Sequence, residues 1–187
     1  MGDPRRLRKK YSMPTHPWQK ERIDREKELL KNYGLKNKRE IWKMDSKLKK
    51  FFLQVKRLVA YSTKQSEIEE QQLLSKLLSL GLIKKDSKLE DVLNISLNDL
   101  LERRLQTLVH KKNLSKSLKQ ARQLITHRHI MVKERTITSP SYLVSTEEEA
   151  FISFSPLSNF SNPDHPERII QESKKQKKKK TKQNGKK

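Results

Sequence analysis

Arg5, Arg6, Arg8, Lys9 and Lys10 crowd into six consecutive positions, Tyr11 follows directly, and Trp18 stands a little further on. Cations interleaved with aromatic rings suit one chemistry: the charges neutralise phosphates and the rings stack on bases. A second group is basic but without such rings. Arg103 and Arg104 precede a run holding Lys111, Lys112 and Lys116, and Lys119, Arg122 and Arg128 come close behind. These residues are the candidate RNA contacts. Nothing comparable points to covalent chemistry. There is no cysteine, the chain has only four glycines with which to build a phosphate loop, and no nucleophile stands beside a base. The five histidines are His16, His110, His127, His129 and His165. Only His127 and His129 are close, with no carboxylate at helical spacing, so neither a metal nor another cofactor is expected, nor an enzyme.

The charge balance agrees. The 187 residues carry 44 Lys and Arg against 22 Asp and Glu, a net charge of +22. Such a chain repels itself. A polyanion relieves the repulsion, because each neutralised phosphate releases condensed counterions. The charge is also segmented: +13 over residues 1–65, −3 over 66–100, +8 over 101–135, −5 over 136–173 and +9 over 174–187. Three separate basic surfaces are expected rather than a uniform coat. No stretch approaches the roughly 20 apolar residues of a membrane-spanning helix. The N-terminus lacks the apolar run of a signal peptide, so an intracellular protein without membrane contact is expected.

The elements that must hold these residues are mostly helices. Residues 1–16 have no apolar periodicity, and Pro4, Pro14 and Pro17 interrupt any helix; a solubilising tail and an arm that orders on RNA are both compatible. A helix is predicted over 18–32, with Pro17 in its first turn, Gly34 as its cap, and a surface alternating in sign through Glu21–Arg25 and Arg22–Glu26. The clearest helix spans 38–61, where Ile41, Met44, Leu48, Phe51, Phe52, Val55, Leu58 and Val59 recur at spacings of three and four. Its other face carries Lys43, Lys47, Lys50, Lys56 and Arg57, which suits either a solvated face or phosphate contact. A helix over 66–80 starts on a Ser66/Glu69 capping box, buries Leu73, Leu74, Leu77 and Leu78, and ends at Gly81. Another runs over 96–109 from Ser96 and Asp99, with Leu97, Leu100, Leu101, Leu105 and Leu108 inside and Arg103 and Arg104 on the opposite face. A short helix over 117–127 is capped by Ser117 and turns Leu118, Ala121, Leu124 and Ile125 inward, with Lys119, Arg122 and Gln123 outward. Its start is crowded with lysines, where a helix N-terminus already favours anions. Strand-like runs follow around Ile130, Val132, Ile137, Tyr142–Val144 and Phe151–Phe154, with turns at Lys133–Arg135 and Thr138–Ser141. Residues 155–173 read as loop.

The stretch Leu101-Glu-Arg-Arg-Leu105, then Ser117-Leu-Lys-Gln-Ala-Arg-Gln-Leu-Ile125, His127-Arg-His-Ile-Met-Val132 and Ser139-Pro-Ser-Tyr-Leu-Val144, resembles the RNA-binding domain named after ribosomal protein four, the S4 type. The family's usual Val-Asn-Gly-Lys after the strand reads Val132-Lys133-Glu134-Arg135 here. The N-terminal residues Gly2-Asp-Pro-Arg-Arg-Leu-Arg-Lys-Lys-Tyr11, Thr15-His-Pro-Trp18 and Glu21-Arg-Ile23 are similar to the archaeal/eukaryotic branch of the small-subunit ribosomal protein family itself. The resemblance covers roughly residues 2–165. Residues 174–187, mostly lysine, cannot bury a core and are expected to be a disordered tail; for the rest, the elements above and the resemblance together give an α+β chain of an extended basic arm (1–16), a mainly helical domain (17–95), an S4-type domain of a helix pair on a short antiparallel sheet (96–155) and an extended segment (156–173). The resemblance implies a structural constituent of the small ribosomal subunit that binds its rRNA early in assembly and contributes to translational accuracy. The partners implied are small-subunit rRNA, neighbouring ribosomal proteins including the S5-family protein, and mRNA near its entry channel, all in the cytoplasm. Arg103, Arg104, Lys119, Gln120, Arg122, His127 and His129 match the family's RNA-binding positions. The alternatives are a nonribosomal RNA chaperone and an RNA-modification factor with an appended S4-type domain.

Overall fold

The computed structural model describes residues 9–61, 63–85, 87–162 and 165–166. Arg5, Arg6, Arg8 and the lysine tail lie outside the described residues. Helix α1 (Lys20–Asn32) starts slightly later than predicted. The Arg22 guanidinium donates to the carbonyls of His16 at 2.7 Å and Pro17 at 2.9 Å, which holds that segment in a turn ahead of the helix. The expected C-terminal glycine is there: Gly34 has φ 58°, and Leu35 N–H donates back to Leu30 O at 3.1 Å.

Glu26 departs from the alternating-sign surface expected of α1. It is 5% exposed, not on the surface. It accepts from Arg22 at 2.8 Å and from Trp42 Nε1 at 2.9 Å, and pairs with Lys38 at 3.1 Å. Burial acts to raise its pKa, but these hydrogen bonds and the charge of Lys38 outweigh it and hold the carboxyl below its ordinary value.

Helix α2 (Lys38–Ala60) buries Ile41, Met44, Leu48, Phe51 and Val55. The stripe ends a turn early, since Val59 is exposed and Leu58 only half-buried. Helix α3 (Lys64–Ser79) is capped by Thr63, not Ser66: Thr63 Oγ1 accepts from Ser66 N–H, and Ser66 Oγ accepts from Thr63 N–H. The reciprocal pair lies one turn upstream of the predicted box. Leu73 and Leu77 are buried, Leu74 is half-buried and Leu78 is exposed. Gly81 at φ 67° closes α3, with Leu82 N–H on Leu77 O. A single turn, α4 (Leu89–Val92), leads to the next pair.

The helix predicted over 96–109 is two helices, α5 (Leu97–Glu102) and α6 (Leu105–Lys111). Arg104 between them is extended, at φ −72° and ψ 141°. The cause lies far downstream in the chain. Segment 142–144 takes the backbone groups that a continuous helix would use: Leu105 N–H donates to Tyr142 O at 2.8 Å, Val144 N–H donates to Arg103 O at 3.0 Å, and Arg104 bridges Leu143. Those strand-like residues therefore brace the helix break instead of joining the sheet.

Helix α7 (Leu118–Thr126) has the predicted Ser117 cap, which accepts from Gln120 N–H. The sheet is small and antiparallel, in the order β2-β1-β3, from β1 (Ile130–Val132), β2 (Arg135–Thr136) and β3 (Ile152–Phe154). The β1–β2 turn holds without the family's glycine, because Lys133 itself takes φ 55°. A short helix that the sequence did not suggest, α8 (Thr146–Ala150), precedes β3; Ser145 and Glu148 cap it reciprocally. A 3-10 turn at Asn159–Ser161 interrupts the segment read as loop.

Three apolar clusters hold these elements. One joins α6, α7, the sheet and Val144; a second joins α2, α3, α4 and α5; a third joins α1, α2 and Leu101. Leu97 and Leu143 pack against both the second and the third. Leu77, Leu100, Leu101 and Leu105 are fully buried, each contributing about 1.5–3 kcal/mol of transfer free energy.

Candidate nucleic-acid interface

Helix α7 and the turn after it form the exposed basic strip that the sequence points to. Lys119, Thr126, His127 and Arg128 are exposed, on the side away from buried Ala121, Leu124 and Ile125. Lys116 and Lys119 stand at its start. Gln120 is used by the fold: its Oε1 accepts from Lys116 N–H at 2.7 Å, which tightens the cap that Ser117 begins.

The His127–His129 turn is the C-terminal cap of α7. Arg128 N–H donates to Ile125 O and His129 N–H to Leu124 O, the paired bonds of a Schellman motif. Arg128 takes φ 64° in the position where glycine usually sits, a conformation that costs an L-residue on the order of 1 kcal/mol. The turn thereby gains an exposed guanidinium. His129 is less available: its Nδ1 lies 2.8 Å from Ser158 Oγ and its ring packs edge-on against Phe160, centroids 4.9 Å apart. Burial, and then the neighbouring His127, push its pKa down.

Most of the other cations predicted to meet RNA are occupied within the protein. Arg104 is not on an outer face but fully buried, its Nη2 2.6 Å from Glu40 Oε2. Arg122 turns from α7 to the same carboxylate, Nη2 to Oε1 at 2.8 Å, instead of projecting outward. Arg103 pairs with Glu149 at 2.7 Å and donates to Val144 O. Lys111 pairs with Glu102 at 3.0 Å, and Lys112 donates to Glu149 O. These contacts are structural: they tie α2, α6, α7 and α8 together. Burial acts to raise the pKa of Glu40, but hydrogen bonds from Arg122 and Arg104 and their charges outweigh it, holding it below its ordinary value. Gln106 adds a second tie, its Nε2 donating to Gly34 O at 3.0 Å and Leu118 O at 2.9 Å.

In the arm, Lys9 and Lys10 are exposed and Tyr11 is half-buried. Ser12 N–H donates to buried Ser46 Oγ at 3.0 Å, so the arm is pinned to α2 at this point. Trp18 is 88% exposed, an unusual position for so large a ring.

The S4-domain family matches residues 103–149, which hold α6, α7, two of the three strands and α8. Over a longer span, the chain is 50% identical to small ribosomal subunit protein uS4 of Saccharolobus solfataricus across 161 residues, 86% of this chain and 89% of that one. It is 50% identical to uS4 of Methanococcus aeolicus across 169 residues, 90% and 96% of the two chains. The chain belongs to the uS4 family. A third member, from Ignicoccus hospitalis, is 48% identical across 160 residues, 86% and 96% of the two chains. These uS4 matches extend well beyond the S4 domain and take in most of the helical N-terminal half.

One concentration of charge in this uS4-family chain is only partly visible from sequence. Lys43, Lys47, Lys50 and Arg57 of α2 belong to the basic face noted above. The structure adds Lys10 from the arm and Lys76 from α3 around a single groove. Lys76 carries no signal by itself, because it sits in the acidic segment 66–100. Among the described residues, no group of three or more His, Asp or Glu side chains is placed to hold a metal, and no helix is long and apolar enough to cross a membrane.

Proposed function

We propose that this chain is a structural, non-catalytic constituent of the small ribosomal subunit that binds the subunit's rRNA. The observation that carries the reading is identity near 50% over 86–90% of the chain to proteins named small ribosomal subunit protein uS4. A modification factor that had acquired only the small domain would account for residues 103–149 and leave the rest of the match unexplained. The RNA-binding residues proposed are the α7 strip with Lys116, Lys119, His127 and Arg128, and the arm with Lys9, Lys10, Tyr11 and Trp18. Arg5, Arg6 and Arg8, which precede Lys9 in the sequence, belong to the same proposal. Cations on these two surfaces neutralise closely spaced phosphates, and Arg128 adds the planar fork suited to bidentate phosphate binding. Structured RNA is read mainly by shape in this mode. Binding early in assembly, a contribution to accuracy, contact with an S5-family neighbour, proximity to mRNA at its entry, and residence on cytoplasmic ribosomes belong to the same proposal.

Competition binding tests it. At moderate salt, small-subunit rRNA should displace the labelled rRNA from the full chain far better than an equal mass of duplex DNA. Equal competition by both would refute the ribosomal reading.

A further inference from the structure

The turn that displays Arg128 is gripped by a segment well downstream of α7. Ser155 N–H donates to His129 O at 2.8 Å, which carries the β1–β3 pairing one residue beyond Ile130 and Phe154. Three residues on, Ser158 Oγ lies 2.8 Å from His129 Nδ1 and accepts from Phe160 N–H at 3.2 Å. The Phe160 ring then packs edge-on against His129, with Phe154 and His165 also against it at centroid distances of 6.1 and 4.6 Å. The segment folds tightly to do this: Ser158 N–H donates to Ser155 O and Ser161 N–H to Ser158 O, both at 2.9 Å. Ser155 and Ser158 are both buried, which is uncommon for serine. His129 is thus held at its carbonyl, its ring nitrogen and its ring edge.

That grip falls on the residue next to the strained position of the cap. Arg128 holds φ 64°, which glycine takes without cost and arginine does not. The two Schellman bonds are those that any glycine-ended helix makes, so they do not offset the added cost of an arginine. A neighbour fixed on every side does offset it. His129 N–H is bound to Leu124 O, its carbonyl to Ser155 and its ring to Ser158 and Phe160, which leaves Arg128 little freedom to relax to negative φ. His127 and Arg128 also share a hollow with Ser155, Leu157 and Ser158, so the segment stands beside the exposed cation. We propose that residues 155–160 are a positioning strap: Ser155, Ser158 and Phe160 grip His129 and thereby hold Arg128 in the left-handed conformation that presents its guanidinium to RNA. The strap lies outside the matched S4 domain, which ends at 149. The proposal rests on the RNA-binding reading above and deepens it. The strap sets what fraction of the free protein has the turn ready to bind, and affinity scales with that fraction.

The test is a cycle in the full chain: Phe160→Ala, Arg128→Gly and the two combined, with Ser158→Ala as a milder break of the same grip. Two quantities are read: amide hydrogen exchange of residues 128 and 129 in the free protein, and affinity for small-subunit rRNA as a function of salt. Phe160→Ala should speed exchange at Arg128 and His129 and leave Leu124 and Ile125 in α7 unchanged. It should weaken rRNA binding about fivefold, the factor to which a left-handed penalty of about 1 kcal/mol converts. The salt slope should stay constant, because no phosphate contact is removed. Arg128→Gly should lower the magnitude of the slope by about 0.7–0.9. Adding Phe160→Ala to it should change neither exchange nor affinity further, since glycine needs no strap. Ser158→Ala should reproduce the Phe160→Ala pattern in smaller measure. Unchanged exchange at 128 and 129 in both single strap variants would overturn the proposal, and so would equal losses of affinity in the Arg128 and Gly backgrounds, the mark of a general structural role. Arg128→Gly with affinity and slope intact would instead remove the RNA-binding reading of the turn, and exchange, which needs no RNA, separates that failure from failure of the grip.

Discussion

Replacing Glu40 by Gln tests whether its two arginines are held by charge. The carboxylate is one negative charge facing two positive ones, with Arg104 Nη2 at 2.6 Å and Arg122 Nη2 at 2.8 Å. The Arg104 side chain is 1% exposed, so the substitution strands a guanidinium with no counter-ion and almost no access to solvent. Breaking a buried pair in this way costs about 3–5 kcal/mol. Arg122 retains some exposure to water and adds less than about 1 kcal/mol. The sum of about 4 kcal/mol is a large part of the 5–15 kcal/mol typical of a domain, and it corresponds to a melting point roughly 8–16 °C lower for a chain of this size. Urea unfolding followed by circular dichroism measures it, with the m-value expected to stay constant. The decisive arm is Arg104→Met. Nε and Nη1 of Arg104 are already buried without acceptors, so an unbranched apolar side chain should fit at little cost. In that background Glu40→Gln should cost only about 1 kcal/mol. A cost under about 1 kcal/mol in the parent, or an equal cost in both backgrounds, would refute the reasoning. The pH dependence supplies a cross-check. A carboxyl held below its ordinary value of 4.5 contributes stability above that pH and loses it as the pH falls through the folded value. The parent's stability should therefore fall more steeply than that of Glu40→Gln as the pH drops below 4.5, and the two should converge in acid.

Three further outcomes follow from the backbone and from His129. Lys133→Gly should raise stability by about 1 kcal/mol in thermal melts, because Lys133 holds φ 55° in a two-residue turn. Gly34→Ala should destabilise by more than about 1 kcal/mol from φ alone, with an added cost, read in the same melts, because the new Cβ would lie 2.7 Å from Leu118 Cβ. His129 should titrate below its ordinary value of 6.5 in an NMR pH series, and its contribution to stability should be lost as the pH drops below that value.

Periodicity made most of the framework legible. The stripe from Ile41 to Val55 identified α2, Gly34 and Gly81 marked helix ends, and Ser117 marked the start of α7. Capping chemistry is local, and its signals are short. The errors have a common origin in interactions made far along the chain. Nothing near Arg104 announces that segment 142–144 will claim its neighbours' backbone groups, since the leucines continue in helical phase across the break. Glu26 looked like a surface charge because Trp42 and Lys38 reach it from the next helix. The site suffered more than the fold. A basic residue reads the same in sequence whether a carboxylate 64 or 82 positions away neutralises it or not, so Arg104 and Arg122 could not be told from Lys119. Lys76 was missed for the converse reason: it lies among acidic residues in sequence and among lysines in space.

The shared carboxylate of Glu40 also bears on where this chain could be divided. A cut just ahead of the matched domain, which begins at 103, is the natural choice from sequence. That cut would leave Glu40 on one fragment and both of its arginines on the other, converging on an empty position, and would strip Gln106 of its partner at Gly34. The C-terminal fragment of this protein is therefore not a self-sufficient cassette. To be excised, or grafted onto another protein, it needs either an acid supplied by its new host or an apolar residue at 104.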